Sequence, residues 1–419
     1  MSFSLGLLLK NDYAFSVFSK IAIIPCNVLA TIFLNRYLGP ELKGQYAYIL
    51  NIINLLIVIL NLGIYQAYPF FRRSGLENIT RNFINIFVLQ FITYILLGLL
   101  ISIFARDIII TVVSILVPCM VFAQQLNFII MVENIRLSNI INIIHALLFA
   151  SAFFYLFAFT APNLLSALGA NYIKCILITI ILLFFFRFTP IVMNRSLLKE
   201  ALVFGFYPML TGIMLILNYR IGVFILGNYA SYSEIGYFTT GLQLAEFAWI
   251  VPEAFKDVLF SRTARSDAIK EVVLALKFNF WLAILMVVSI VVWGKDILYI
   301  LYGKEFLPAY GVTIVMFIGV ISMVYFKLIG TLFLAKGEKK VYFYVLFGSV
   351  ALNVLMSFIM IPMLGTLGAA VATVISYTIT GIIFLTIFQR NYHIPWKEFF
   401  VINNKDIQII YGALKRKES

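Results

Sequence analysis

Five basic residues, Lys20, Lys174, Arg220, Lys277 and Lys327, sit inside long apolar runs of this 419-residue chain. The run GVISMVYFKLIGTLFLAKG, from Gly319 to Gly337, poses the problem most sharply. A lysine at the centre of a membrane helix costs about 3 kcal/mol on insertion scales. Such a residue needs water, an acidic partner or an anionic guest. Ammonium and guanidinium groups bind phosphate oxygens by charge-assisted hydrogen bonds, and arginine adds a planar fork. Acidic residues in the same runs are fewer. Glu246 lies near the centre of one and Glu253 nearer its end, so the apolar interior is net basic.

The elements that must position these cations follow from composition. The chain is 63% hydrophobic and 12% charged, whereas a soluble domain is about half apolar and a quarter charged. It reads as an all-α polytopic membrane protein. Apolar runs of about 20 residues predict about twelve spans. Six lie near 13–34, 45–68, 82–104, 108–131, 140–160 and 164–187, and six near 201–226, 235–259, 272–294, 309–335, 341–361 and 365–388. Backbone polar groups in lipid need partners within the segment, and runs this long are helices rather than barrel strands. Pro25, Pro118, Pro208 and Pro252 fall within spans, where bends are tolerated. The opening MSFSLGLLLKNDY has no cleavage pattern and is expected to be retained. Cys26, Cys119 and Cys175 lie in apolar runs without paired spacing, so neither a disulfide framework nor a metal site is expected.

Of the 31 Lys and Arg residues, 21 fall on one set of alternate connections and the termini, and five on the other set. The positive-inside rule therefore places both termini in the cytoplasm. Lys277 lies about five residues into its span and is expected to snorkel to headgroups. Lys20 lies about seven residues in, and Arg220 about 9 Å from an external end. Lys174 and Lys327 lie deepest, about 15 Å and 13 Å from the nearer relevant end at 1.5 Å per residue. The longest external connection, near 295–308, is too short for a catalytic domain. His145 reads as a packed polar residue, and no Walker motif occurs.

The chain also echoes itself. GPELKGQYAYILNIINLLIVILNLGIYQAYPFFRR from Gly39 matches GNYASYSEIGYFTTGLQLAEFAWIVPEAFKDVLFSRTAR from Gly227, with Gly44 on Gly236 and Arg73 on Arg265. PNLLSALGA from Pro162 pairs with PMLGTLGAA from Pro362. Echoes six spans apart imply two pseudo-symmetric six-helix lobes of like orientation with a substrate path between them. The expected domains are 1–195 (N-terminal lobe), 196–388 (C-terminal lobe) and 389–419, a basic cytoplasmic tail expected to lie on anionic headgroups.

LGPELKGQYA from Leu38, SEIGYFTTGLQLAE from Ser233, LYGKEFLPAY from Leu301 and GTLGAAVATVIS from Gly365 together resemble the polysaccharide and O-antigen flippases. These belong to the multidrug/oligosaccharidyl-lipid/polysaccharide exporter superfamily. The resemblance covers nearly the whole chain. It implies a V-shaped exporter fold in the bacterial inner membrane and export of a polyprenyl-diphosphate-linked oligosaccharide to the outer leaflet by alternating access. On that reading Lys174, Lys327, Arg220 and Lys20 are the candidate cavity cations for the diphosphate. Glu246 is the candidate charge partner or coupling group, with H+ or Na+ as the coupling ion. Gln124, Gln125, Asn127, Asn218 and Gln243 are candidate sugar-lining residues. Membrane lipids and other polysaccharide-assembly proteins are the expected partners, and nucleic acid is not. No catalytic residue or cofactor is expected. A cation-coupled multidrug antiporter is the nearest alternative, although it favours intramembrane carboxylates. A membrane-bound glycan polymerase or glycosyltransferase is the more distant one.

Overall fold

The computed structural model describes residues 12–75, 77–185, 194–250, 252–253, 256, 269–403 and 406. Among them the apolar runs are helices. Helix α1 (Asp12–Leu60) makes two crossings across a break at Gly39, where φ is 65° and ψ 177°. It is followed by α2 (Ile64–Arg73), α3 (Ile79–Ala105), α4 (Ile108–Glu133), α5 (Ile135–Phe159), the short α6 (Leu164–Gly169) and α7 (Tyr172–Phe185). Then come α8 (Arg195–Leu226), α9 (Tyr232–Ala248), α10 (Ile269–Tyr302) and α11 (Tyr310–Ala335). Helix α12 (Lys339–Tyr392) is again two crossings, broken at Gly365 with φ 57° and ψ −129°. Among the described residues, nine helical stretches are long and apolar enough to span a bilayer. Two of these are broken at a glycine into two segments each, and α9 is a further, shorter helix, in keeping with the expected count of about twelve spans.

Short polar caps start these helices. The Asp107 carboxylate accepts from the Ile109 and Ile110 N–H groups at 2.8 and 2.9 Å. Asn134, Asn163 and Asn194 do the same for α5, α6 and α8. Ser231 and Glu234 form a reciprocal capping box on α9. Each cap satisfies N–H groups that would otherwise be orphaned at a helix start. The outer faces stay apolar. Leu96, Ile101, Ile103 and Phe104 of α3, and Leu285, Val292 and Trp293 of α10, are exposed, as lipid-facing surfaces must be.

The chain divides into two compact units, Met1–Ile216 and Leu217–Ser419, with the division inside α8. The first packs Tyr68, Phe83, Phe87, Leu126 and Ile130 into one core and Leu34, Tyr46, Phe153 and Leu168 into another. The second buries Phe238, Leu298, Phe306, Val324, Phe333 and Phe384. The repeat is visible in the connections. α6 and the Gly365 break hold the paired Pro-Leu-Gly segments, each between the fifth and sixth crossing of its half.

Three features depart from the sequence reading. The run at 45–68 is not one continuous helix: Leu62 and Gly63 adopt left-handed backbone (φ 52° and 64°) and separate α1 from α2. The close approach of α8 accounts for it, because a Cβ on Gly63 would run into the Gly205 carbonyl. Residues 295–308 are not a loop. Helix α10 is 34 residues long, about 51 Å at 1.5 Å per residue, and a 3-10 turn over Lys304–Ala309 leads directly into α11.

Nor does Lys277 snorkel. It is 1% exposed, and its ammonium donates to Glu398 at 2.8 Å and Asp406 at 2.9 Å. The segment after α12 lies across α10 as a strap. Phe399 is fully buried, Trp281 Nε1 donates to the Phe400 carbonyl at 2.8 Å, and Phe400 meets the Phe280 and Tyr325 rings. The described part of the tail thus supplies the anions that headgroups were expected to supply. Residues 404, 405 and 407–419, the rest of that predicted basic tail, lie outside the described residues. Burial raises the Asp406 carboxyl, but the Asn403 N–H and the Lys277 ammonium outweigh it and hold the group below the usual carboxylate range.

Candidate functional site

The second unit gathers most of the chemistry on four helices. Helix α9 and its continuation carry Glu246, Trp249 and Glu253 at spacings of three and four. The Glu253 N–H still donates to the Trp249 carbonyl at 3.0 Å, so helical geometry runs through the stripe. Residues so spaced share one helix face. That face meets Tyr219 and Arg220 of α8, Lys327 of α11 and Tyr377 of α12.

Two ion pairs result. One terminal nitrogen of Arg220 contacts both carboxylate oxygens of Glu246, at 2.8 and 3.1 Å. The Lys327 ammonium donates to Glu253 Oε1 at 2.5 Å. It also lies 4.7 Å from the Trp249 ring centre and 5.9 Å from that of Tyr219. Both distances are within cation–π range. Tyr219, Trp249 and Tyr377 form an aromatic triangle with centroids 5.5, 6.3 and 6.0 Å apart. Trp249 Nε1 and Tyr377 Oη are buried and have no hydrogen-bond partner among the described residues. The cluster therefore offers two cations, two spare donors and three aromatic faces. Its two carboxylates balance the two cations.

The sequence pointed to Arg220, Lys327 and Glu246 but not to how they pair. Glu246 serves Arg220, and Lys327 takes Glu253. Glu253, Trp249, Tyr219 and Tyr377 were not singled out as site residues. The helical stripe Glu246–Trp249–Glu253 was the available signal.

In the first unit the break between α1 and α2 is surrounded by amides. The freed Leu60 carbonyl accepts from Gln90 Nε2 at 2.6 Å and Tyr94 Oη at 3.1 Å. Gln125 Nε2 donates to Gln90 Oε1 at 2.9 Å, and Asn61 Nδ2 to Gln124 Oε1 at 2.9 Å. Gln124 is exposed, whereas Gln125 is fully buried. Asn127 is half-buried and accepts from Ser138 Oγ at 3.4 Å. Lys174 is partly buried on α7, with His145 within electrostatic range, and Lys20 is exposed on α1. His145 itself stacks on Phe149 at 5.5 Å.

The remaining candidates belong to the second unit. Asn218 is 1% exposed and ties α8 to both arms of α12: its side chain accepts from Ser349 Oγ at 3.0 Å, its carbonyl accepts from Asn353 Nδ2 at 2.8 Å, and Ser349 bonds to Ser376. Gln243 is half-buried on α9. Among the described residues no group of three or more His, Cys, Asp or Glu side chains is placed to hold a metal.

A family model described as a polysaccharide biosynthesis protein matches residues 33–311. Among solved structures, the fold is similar to that of the lipid II flippase MurJ in an inward closed conformation. The TM-score is 0.72 at 15% identity, over 93% of this chain and 88% of that one. An inward-facing multidrug resistance transporter of the MATE family and MOP superfamily matches with a TM-score of 0.64 at 16% identity, over 89% of this chain and 97% of that one. A MOP superfamily transporter from Pyrococcus furiosus, described as having a binding pocket of reverse polarity, matches at 0.57 and 15% identity, over 91% of this chain and 96% of that one. At these identities the likeness is one of fold. No curated protein matches the chain in sequence.

Proposed function

The chain belongs to the polysaccharide biosynthesis protein family, and from that premise we propose that it is a flippase for polyprenyl-diphosphate-linked oligosaccharide, such as an O-antigen repeat unit. It acts in the bacterial inner membrane with both termini cytoplasmic. It carries the head group from the cytoplasmic to the outer leaflet by alternating access. The observation that carries this reading is the cluster on α8, α9 and its continuation, α11 and α12. There two cations and an aromatic triangle stand together inside an apolar bundle.

Each part of the substrate has a matching surface. Phosphate oxygens take charge-assisted hydrogen bonds from Arg220 and Lys327. Sugar rings stack on Tyr219 and Trp249 in the second unit. In the first unit, taken by itself, Gln124 offers an exposed amide. Lys174 and Lys20 add positive charge in the first unit. The polyprenyl chain stays in lipid. Glu246 is the proposed coupling group for H+ or Na+, and its exchange would have to open the Arg220 pair. Other polysaccharide-assembly proteins are proposed partners.

The same carboxylates and rings also suit an organic cation, which supports a multidrug antiporter as the second reading. Proteoliposomes holding a fluorescent polyprenyl-diphosphate oligosaccharide separate the two. Flipping by the wild type that is lost in Arg220→Gln and Lys327→Gln, with folding matched, supports the flippase. No flipping alongside uptake of a cationic dye supports the antiporter.

A further inference from the structure

The Lys327–Glu253 pair is lopsided. The ammonium side chain is 7% exposed, whereas that of its carboxylate partner is 47% exposed. The cation is held from several sides, by burial and by the Trp249 and Tyr219 rings. The Glu253 side chain leaves nearly half its surface uncovered. In the neighbouring pair the exposures are similar, 29% for Arg220 and 23% for Glu246, and one guanidinium nitrogen bridges both oxygens. The two pairs therefore differ in kind. In one the two charges are shielded alike, and in the other a caged cation meets an exposed anion.

Resting on the flippase reading, we propose that Glu253 is a displaceable counter-anion that keeps, on Lys327, the place a phosphate group of the substrate takes during loading. A buried ammonium stripped of its anion is strongly unfavourable, so the site cannot wait empty for its ligand. Glu253 solves this by acting as a resident stand-in for phosphate. The rings keep Lys327 in position through the exchange, since a cation over an aromatic face retains part of its stabilisation when the carboxylate leaves. Glu253 can leave because the protein covers only about half of its side chain, whereas Lys327 is caged. Trp249 Nε1 and Tyr377 Oη, unused by the carboxylates, supply donors for the incoming oxygens. Lys256 lies within electrostatic range of Lys327 and adds to the positive field there. The consequence is a specificity filter. A neutral glycolipid cannot replace the carboxylate, whereas a phosphate ester or diphosphate can.

The test uses purified full-length protein in detergent micelles, with farnesyl diphosphate as the probe. If the ligand-ready state is about a tenth of the population, Glu253→Gln should bind the probe about tenfold more tightly than wild type. Glu253→Asp keeps the competing charge and should bind near the wild-type level, while Lys327→Gln should lose binding. A wild-type measurement covers the case in which Glu253→Gln fails to fold. Carbodiimide labelling of Glu253, read by mass spectrometry, should rise when farnesyl diphosphate is added. Binding that depends on Lys327 but is unchanged or weakened in Glu253→Gln, or labelling that does not rise, overturns the counter-anion proposal and leaves the flippase reading standing. Absence of diphosphate binding by the folded wild type overturns that reading itself.

Discussion

Removing either half of the Lys277 cluster should destabilise the protein unequally, and the inequality follows from where each charge sits. Lys277→Met takes away an ammonium whose side chain is 2% exposed. The two carboxylates it leaves can reach water, since the Glu398 side chain is 42% exposed and that of Asp406 15%. The loss should resemble that of a surface ion pair, about 1 kcal/mol or less. The reverse change, Glu398→Gln with Asp406→Asn, leaves a buried ammonium without an anion. Breaking a buried pair in this way costs about 3–5 kcal/mol. The triple variant carrying all three changes should return close to wild type, because no charge is left stranded. Phe399, Phe400 and the Trp281 hydrogen bond hold the strap in every variant, so the comparison isolates charge. The assay is equilibrium unfolding in mixed micelles, with thermal midpoints alongside. A Lys277→Met variant as unstable as the double acid variant would refute the reasoning, as would a triple variant no better than the double.

Acidification tests the same strap by another route. The Asp406 carboxyl titrates below its unfolded value of about 3.9, so its contribution is complete at neutral pH and is lost as pH falls through the depressed folded value. The wild-type thermal midpoint should drop below about pH 4, and Asp406→Asn should flatten that part of the profile. Backbone contact gives a further expectation. A Cβ on Gly205 would lie 2.5 Å from the Leu62 carbonyl oxygen and 2.9 Å from the Ile64 nitrogen. Gly205→Val must therefore move backbone and should cost about 1–3 kcal/mol or more. Gly212→Ala meets only a Val58 methyl at 3.0 Å and should leave the midpoint nearly unchanged.

Much of this protein was legible before folding. The crossings are long apolar runs, and lipid leaves the backbone no other way to satisfy its polar groups. The duplicated Pro-Leu-Gly segments marked the breaks at α6 and Gly365, because glycine and proline act through the local backbone. The kink between α1 and α2 was not legible. Leu62 and Gly63 turn left-handed because α8 presses Gly205 against them, a contact between residues about 140 positions apart. Residues 295–308 looked like a loop because charges and a proline interrupt the apolar run, yet they continue as helix.

The amino-acid sequence alone determined that cations would lie inside the membrane and that too few acids shared the spans to ignore them. Which acid met which cation was decided only by tertiary structure. Sequence depth made Glu246 the natural partner for a central lysine, but helix faces allotted it to Arg220 and gave Lys327 to Glu253. Lys277 was near enough to the membrane surface to snorkel, yet the strap returned from more than a hundred residues away to cover it. A side chain's type and its depth along a helix are local properties. Its partner depends on how helices rotate and cross, and that is set by the packing of the whole bundle.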